Sequence, residues 1–331
     1  MPEPSIGKIR GLQQIASREG IFTMCAMDHR GSLRRLIDEG HPGKASYEEM
    51  VKRKLELCSS LAEYASAVLL DPIYGAAQCI SHGVIPKGTG LLVSIEATGY
   101  EGGKEHRLTR LLDGWGVAKI KRMGAAAVKL LVYYRPDLKK LAVEQLNTVN
   151  KVARECIKYD IPLLVEPLSY PVGNEIGNPR EFAARKGQLV IQTARDITAL
   201  PIDVLKAEFP ADLHYKTDSS ELLRLCRELD TSSRVPWVIL SAGVDYELFY
   251  KQVQLACQAG ASGFLAGRAI WQEAINIDTA RERTRYLSTI AADRLKRLNE
   301  IASRYALPWY QKAGLSAREL ALVSEKWYAG Y

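Results

Sequence analysis

The 331-residue sequence lacks the features that mark several protein classes. Its six cysteines, Cys25, Cys58, Cys79, Cys156, Cys226 and Cys257, are scattered singly, and no CxxC pair occurs. That argues against a disulfide framework and for free thiols in a reducing cytoplasm. The five histidines, His29, His41, His82, His106 and His214, lie far apart without HxxH or HExxH spacing, so no metal centre is expected. No apolar run approaches the roughly 18 residues of a membrane span, and Met-Pro-Glu-Pro-Ser at the start lacks a signal peptide's apolar core. No linker or low-complexity segment interrupts the chain, so residues 1–331 are expected to form one domain, with a lead-in helix and a helical tail. The net charge of +7 raises the question of nucleic acid, yet the basic residues are mixed with acids. Between Arg281 and Arg304, for example, stand Glu282, Asp293 and Glu300. That pattern is a solvated helix face rather than a DNA-binding stripe. Neither a nucleic-acid nor a membrane partner is expected, and a modest positive excess suits an enzyme that collects small anions.

What the sequence does contain is eight short apolar runs, near residues 21–27, 67–70, 90–96, 126–134, 161–167, 203–209, 236–243 and 262–268. Near-continuous apolar runs are strands buried on both faces, as in parallel sheets. Helical stretches alternate with them, predicted near 6–17, 47–64, 111–123, 141–159, 179–198, 221–229 and 245–259. Eight such units make an α/β fold and match a (β/α)8 TIM barrel. A doubly wound open sheet would carry a glycine-rich turn after its first strand. Here that turn is Asp28-His29-Arg30-Gly31, with no G-x-G-x-x-G.

Barrels of this kind carry their chemistry at the carboxyl ends of the strands. Those ends read Asp28, Asp71, Glu96, Lys129, Glu166, Lys206, then Ser241-Ala242-Gly243, then Ala266-Gly267-Arg268. Asp28 and Asp71 also suit helix caps, and Lys129, Glu166 and Lys206 could form a buried ion-pair network without chemistry. The functional reading centres on Lys206, set among Val204, Leu205 and Ala207. Burial disfavours an ammonium, and a second ammonium at Lys129 adds repulsion, so a nucleophilic amine is expected at Lys206. Such an amine condenses with a ketone to an iminium, which makes a neighbouring carbon–carbon bond cleavable. Glu166 is expected to shuttle protons, Asp28 to deprotonate a substrate hydroxyl, and Glu208 to support the lysine. Ser241, Ala242, Gly243, Ala266, Gly267 and Arg268 are expected to seat a phosphate, through backbone amides and one guanidinium. His29, Arg30, Asp71 and Glu96 are further substrate-binding candidates at the same mouth.

With these residues placed, the sequence resembles the tagatose 1,6-bisphosphate aldolase family of class I aldolases from about Ile15 to Trp271. The resemblance rests on Ala26-Met27-Asp28-His29-Arg30-Gly31, the stretch Tyr64 to Pro72, Lys129 with Leu131-Val132-Tyr133-Tyr134, and Val204-Leu205-Lys206-Ala207-Glu208. The stretch from Pro236 to Val244, with Ala266-Gly267-Arg268-Ala269, is similar to relatives that cleave a sulfonated ketose phosphate. The resemblance implies a barrel working without metal or cofactor, with the Schiff base on Lys206. Glu166, Lys129 and Asp28 fall on its acid–base and electrostatic positions. It implies cleavage of a phosphorylated sugar, a ketose 1,6-bisphosphate, to dihydroxyacetone phosphate and glyceraldehyde 3-phosphate, with sulfolactaldehyde as the alternative aldehyde, in a homodimer or homotetramer. Two departures stand at the mouth: His29 where the family usually has Gln, and Ala97 where a Lys is common. They bear on epimer choice and on the far anionic group. A non-catalytic sugar-phosphate sensor is the rival reading, supported only by the basic helix face and the aromatic residues after Trp309.

Overall fold

The computed structural model of the protein describes residues 4–40, 43, 45–329 and 331. Eight parallel strands close into a ring: β1 (Phe22–Ala26), β2 (Ala67–Leu70), β3 (Gly90–Ser94), β4 (Ala127–Tyr133), β5 (Leu163–Leu168), β6 (Val204–Ala207), β7 (Trp237–Leu240) and β8 (Gly263–Ala266). Each pairs with the next in sequence, and β8 pairs with β1. Helices follow the strands, so the fold is a (β/α)8 barrel.

Strand alternation divides the apolar residues into two sets. Phe22, Met24, Leu69, Leu164, Val204 and Val238 fill the lumen in one cluster. Cys25, Val68, Val128, Val165, Leu205 and Ile239 face outward into a second cluster shared with the helices. This two-sided burial is why the strands read as unbroken apolar runs. The helices as far as β8 are α1 (Ile6–Ile15), α2 (Gly31–Gly40), α3 (Tyr47–Leu61), α4 (Ala76–Ser81), α5 (Val117–Arg122), α6 (Lys139–Lys158), α7 (Pro179–Ile197), α8 (Ser219–Ser232) and α9 (Tyr246–Gln258), and further helices, the longest Ala292–Tyr305, follow β8. Ser46, Asn178, Asp218 and Asp245 cap four of them by accepting from first-turn amides.

The end of the barrel where the strands begin is plugged. Leu12 and Ile15 of α1 and Trp309 from the far end of the chain join the lumen cluster, and the Trp309 amide donates to the Gly20 carbonyl at 2.9 Å. Gly11 permits this approach, since a Cβ there would stand 2.5 Å from the Ala126 carbonyl oxygen. Only the opposite end, where the strands finish, is left for a site.

Two segments depart from the sequence expectation. The helix expected over 111–123 shrinks to α5. The Leu112 amide donates to Ile95 O at 3.0 Å, and Gly114 takes a left-handed φ of 68°, so the chain there is committed to the end of β3. The polar loop after β3 contains an antiparallel hairpin, Glu101–Gly103 with His106–Leu108, that its sequence did not announce.

Candidate active site

The alternation that fills the lumen carries charge one layer higher. Lys129, Glu166 and Lys206 stand two residues beyond Ala127, Leu164 and Val204, hence on the same inward face. Leu164 pairs with Val204 and Val165 with Leu205, a register that sets Glu166 and Lys206 side by side. Lys206 Nζ is 2.8 Å from Glu166 Oε1, and Lys129 Nζ is 2.9 Å from Glu166 Oε2. Lys129 also meets Asp28 Oδ2 and Glu96 Oε1, each at 2.7 Å. The two lysine side chains are 2% and 5% exposed. Asp28 therefore serves Lys129 rather than a helix end. The sequence suggested two ammoniums crowding one another; here Glu166 bridges them, and unscreened like charges in a dry lumen are avoided.

Burial alone would raise the Asp28 carboxyl, but the Lys129 and Lys206 ammoniums beside it hold it well below the usual carboxylate range. The same contest leaves Glu166 below its ordinary value, with Lys129 and Lys206 outweighing burial. Burial also works against the Lys129 ammonium, yet Asp28, Glu166 and Glu96 hold it well above the ordinary lysine value. Lys129 is thus a fixed positive charge, and Asp28 and Glu166 are anions with proton-accepting oxygens beside Lys206.

Other candidates are used differently. Asp71 is fully buried. Its Oδ1 accepts from the amides of Ile73 and Tyr74 at 2.9 and 2.8 Å, and its Oδ2 lies 2.9 Å from Lys54 Nζ. It caps the turn after β2 and is not brought to the lysine cluster. Glu96 is in the cluster, but its second oxygen accepts from the Leu131 amide at 3.1 Å, so both oxygens are engaged. Arg30 is buried and donates to the Glu96 carbonyl at 2.7 Å. Glu208 accepts from the Ser169 amide and hydroxyl at 2.7 and 2.6 Å, tying the loop after β5 to the end of β6.

Sequence reasoning does not single out Lys54, because it lies on α3, which reads as a charged amphipathic helix. It is fully buried and donates to the carbonyls of Met27 and, at 2.6 Å, His29. It thereby clamps the backbone on both sides of Asp28.

The ends of β7 and β8 come together with the β1 turn. Ala242 and Gly243 both adopt left-handed φ, 49° and 79°, a conformation that costs Ala about 1 kcal/mol or more and turns successive amides to one side. The Arg268 guanidinium lies over Gly243, where a Cβ would stand 2.9 Å from its Cζ. Ser241 is buried at the end of β7. A Cβ on Gly267 would stand 2.7 Å from the His29 ring, so Ala266-Gly267 leads directly to His29. Burial, then the nearby charge of Arg35, lowers Arg268 from the ordinary arginine value, and its buried Nε has no hydrogen-bond partner among the described residues. Burial pushes His29 down to about 3, against the pull of Asp28, and its ring packs edge-on to Trp271 with centroids 5.2 Å apart. His29 is a neutral ring at neutral pH. His41 lies outside the described residues.

A parallel barrel with buried, alternating cations and carboxylates at the carboxyl ends of its strands has the architecture of a (β/α)8 enzyme. Residues 22–273 match the DeoC/LacD family of aldolases, and the chain belongs to that family. It is therefore an aldolase, a lyase of carbon–carbon bonds. It is 30% identical over 325 residues to the tagatose 1,6-diphosphate aldolase of Staphylococcus aureus strain bovine RF122 / ET3-1, across 92% of this chain and 98% of that one. In three dimensions it is similar to an archaeal fructose 1,6-bisphosphate aldolase, with a TM-score of 0.58, 19% identity, and 89% and 98% of the two chains covered. It is also similar to the Plasmodium falciparum fructose-bisphosphate aldolase, with a TM-score of 0.67, 14% identity, and 90% and 94% covered.

Proposed function

We propose that the protein is a class I aldolase that cleaves a ketose 1,6-bisphosphate, with tagatose 1,6-bisphosphate as the favoured substrate, through a Schiff base on Lys206. One observation carries this reading: Glu166 bonded to Lys206 at 2.8 Å and to Lys129 at 2.9 Å inside the barrel. One proton cycled through Glu166, together with one passed from nitrogen to oxygen, accounts for imine formation. Lys206 passes it to Glu166 along their hydrogen bond, and the freed amine attacks the C2 carbonyl. After the amine proton has moved to the former carbonyl oxygen, the carbinolamine is neutral. Glu166 then protonates that hydroxyl, which leaves as water, and the iminium forms beside the restored carboxylate. The charge pattern of the iminium state equals that of the starting ion pair, so the surrounding groups need no rearrangement.

Cleavage follows when the C4 hydroxyl gives up its proton. The C3–C4 electron pair flows into the iminium, giving an enamine and releasing glyceraldehyde 3-phosphate. Asp28 is the acceptor for that proton, held ionised by Lys129. The proton held on Asp28 then passes to C3, and water adds to the resulting iminium to release dihydroxyacetone phosphate and return Lys206. The iminium is the electron sink, so the scheme calls for no metal or cofactor. Ser241, Ala242, Gly243, Ala266, Gly267 and Arg268 seat the C1 phosphate, and His29 borders that seat as a neutral ring. In this reading residues 1–331 act as one domain, assembled as a homodimer or homotetramer in the cytoplasm, where its six free, buried cysteines stay reduced.

Borohydride reduction in the presence of dihydroxyacetone phosphate should fix the adduct mass on a peptide containing Lys206. Lys206→Ala should abolish both the adduct and turnover. A Lys206→Ala protein with full turnover would falsify the reading.

A further inference from the structure

The hairpin after β3 carries Arg107, whose guanidinium is packed among three tyrosine rings. Its Cζ lies 4.8 Å from the centroid of Tyr100, 4.8 Å from that of Tyr170 and 5.7 Å from that of Tyr133. The rings also touch one another: Tyr100 and Tyr133 are 5.0 Å apart, and Tyr133 and Tyr170 6.4 Å, both edge-on. The backbone beneath is fixed, since Gln145 donates to the Arg107 carbonyl at 3.0 Å and Arg107 Nε donates to Lys104 O at 3.0 Å. The acids of the same hairpin are engaged elsewhere. Glu101 pairs with Arg110 at 3.2 Å, and Glu105 accepts from the Gly173 amide at 2.8 Å. No carboxylate among the described residues pairs with the terminal nitrogens of Arg107. A half-buried, pre-oriented guanidinium without a counter-ion is an anion receptor in search of an anion.

Its place in the barrel says which anion. Tyr133 lies on β4 four residues beyond Lys129, on the same inward face and roughly 13 Å further along the strand. Tyr133 joins the two regions electrostatically. Burial raises its hydroxyl, Arg107 and Lys129 lower it, and Tyr100 and Glu96 raise it. Thr109, just past the hairpin, accepts from the Tyr133 amide at 3.2 Å and anchors the hairpin to the rim. The Arg268 seat lies at the ends of β7 and β8, and Arg107 stands above β4 and β5 across the ring. Ala97, at the base of the same loop, brings no charge. A ketose charged at both ends and held by Lys206 between these cations would present its far end to Arg107.

We infer that Arg107, clamped by Tyr100, Tyr133 and Tyr170, binds the tetrahedral oxyanion on C6 of the ketose and selects substrates that carry one. This rests on the aldolase reading above, and it makes Arg107 a specificity residue for the end of the sugar that leaves as the aldehyde. The charge on C6 is either a phosphate or a sulfonate, and the guanidinium fork suits both.

The test compares wild type, Arg107→Gln and Arg107→Lys on three ketose 1-phosphates: one phosphorylated at C6, one sulfonated at C6, and one with a free C6 hydroxyl. Arg107→Gln should lower kcat/KM about 30-fold on the C6-charged substrate the enzyme uses. It should leave the uncharged one unchanged. Arg107→Lys should recover part of the loss, because it keeps the charge but not the stacked fork. Whichever charged substrate shows the loss identifies the oxyanion. Borohydride trapping with dihydroxyacetone phosphate, which has no C6 group, should be the same in all three proteins. Equal losses on charged and uncharged substrates would make Arg107 a structural pin, and no loss on any would remove it from the site; either result overturns the inference. Failure of trapping in the wild type would instead sink the Schiff-base reading, and intact trapping with indifference to C6 charge would sink only this one.

Discussion

Lys129 is the most exacting place to test the site, because three carboxylates share one ammonium. Lys129→Met keeps the length and apolar stem of the side chain and deletes the charge from contacts of 2.7, 2.7 and 2.9 Å to Asp28, Glu96 and Glu166. At this range and an effective dielectric of about 20, each contact represents on the order of 5 kcal/mol of Coulomb attraction. Desolvation of four buried charges and repulsion among the carboxylates offset most of that sum. The loss on removing one partner of a buried pair is about 3–5 kcal/mol. The sign with pH follows from the shifts. Asp28 and Glu166 lie below their unfolded values, so their stabilisation is present above about pH 4 and is lost as pH falls through the folded values. Lys129 lies above its unfolded value, so its stabilisation is complete below about pH 10 and is lost as pH rises through the higher folded value. Wild type and Lys129→Met should therefore differ by about 3–5 kcal/mol at pH 8. The gap should narrow at pH 4, where Asp28, released from its ammonium, binds a proton and stops repelling its neighbours. Urea unfolding of both proteins at the two pH values measures it, with slopes compared to check that both unfold in one step. A gap under about 1 kcal/mol at pH 8, or one of equal size at both pH values, would refute the shared-ammonium account.

Two further changes probe the opposite side of the mouth. His29 is held at about 3, so between the unfolded value near 6.5 and that figure the unfolded chain takes up a proton that the native ring refuses, and stability falls as the pH falls. His29→Gln removes this loss: the variant should gain on wild type between pH 7 and pH 4.5 in thermal unfolding, and an identical difference at both would contradict a half-buried neutral imidazole. Arg268→Met should raise the dihydroxyacetone phosphate concentration that half-saturates borohydride trapping by roughly tenfold or more, as expected for losing a charge-assisted contact to phosphate; an unchanged half-saturation would move the C1 phosphate away from Gly243 and Gly267.

What the sequence made legible was what strand geometry encodes locally. The eight runs stand out because both faces of each strand are buried, and the inward positions of Lys129, Glu166 and Lys206 follow from counting twos along β4, β5 and β6. The Glu166–Lys206 pair was within reach because β5 and β6 are neighbours in the sheet as well as in sequence. The hairpin at 101–108 was not, since its strands are three residues long, one of them mostly glycine, and exposed or half-buried, without the apolar pattern on which strand recognition depends.

The contacts that escaped reading are those that cross the lumen or arch over it. Asp28 reaches Lys129 from β1 to β4, strands that are not neighbours, over 101 residues of sequence. Arg107 finds Tyr100, Tyr133 and Tyr170 only because the hairpin folds back onto the rim. No local periodicity specifies the diameter of a closed ring, and so none says which inward-facing charges will meet across it. Closure supplies that information, and it converts carboxylates that could each have capped a helix or faced solvent into a shared set around one ammonium. The lysine proposed to carry the chemistry was therefore legible from its own strand once read beside the charged ends of the others, whereas the groups proposed to govern its proton and the far end of its substrate became identifiable only with the ring complete.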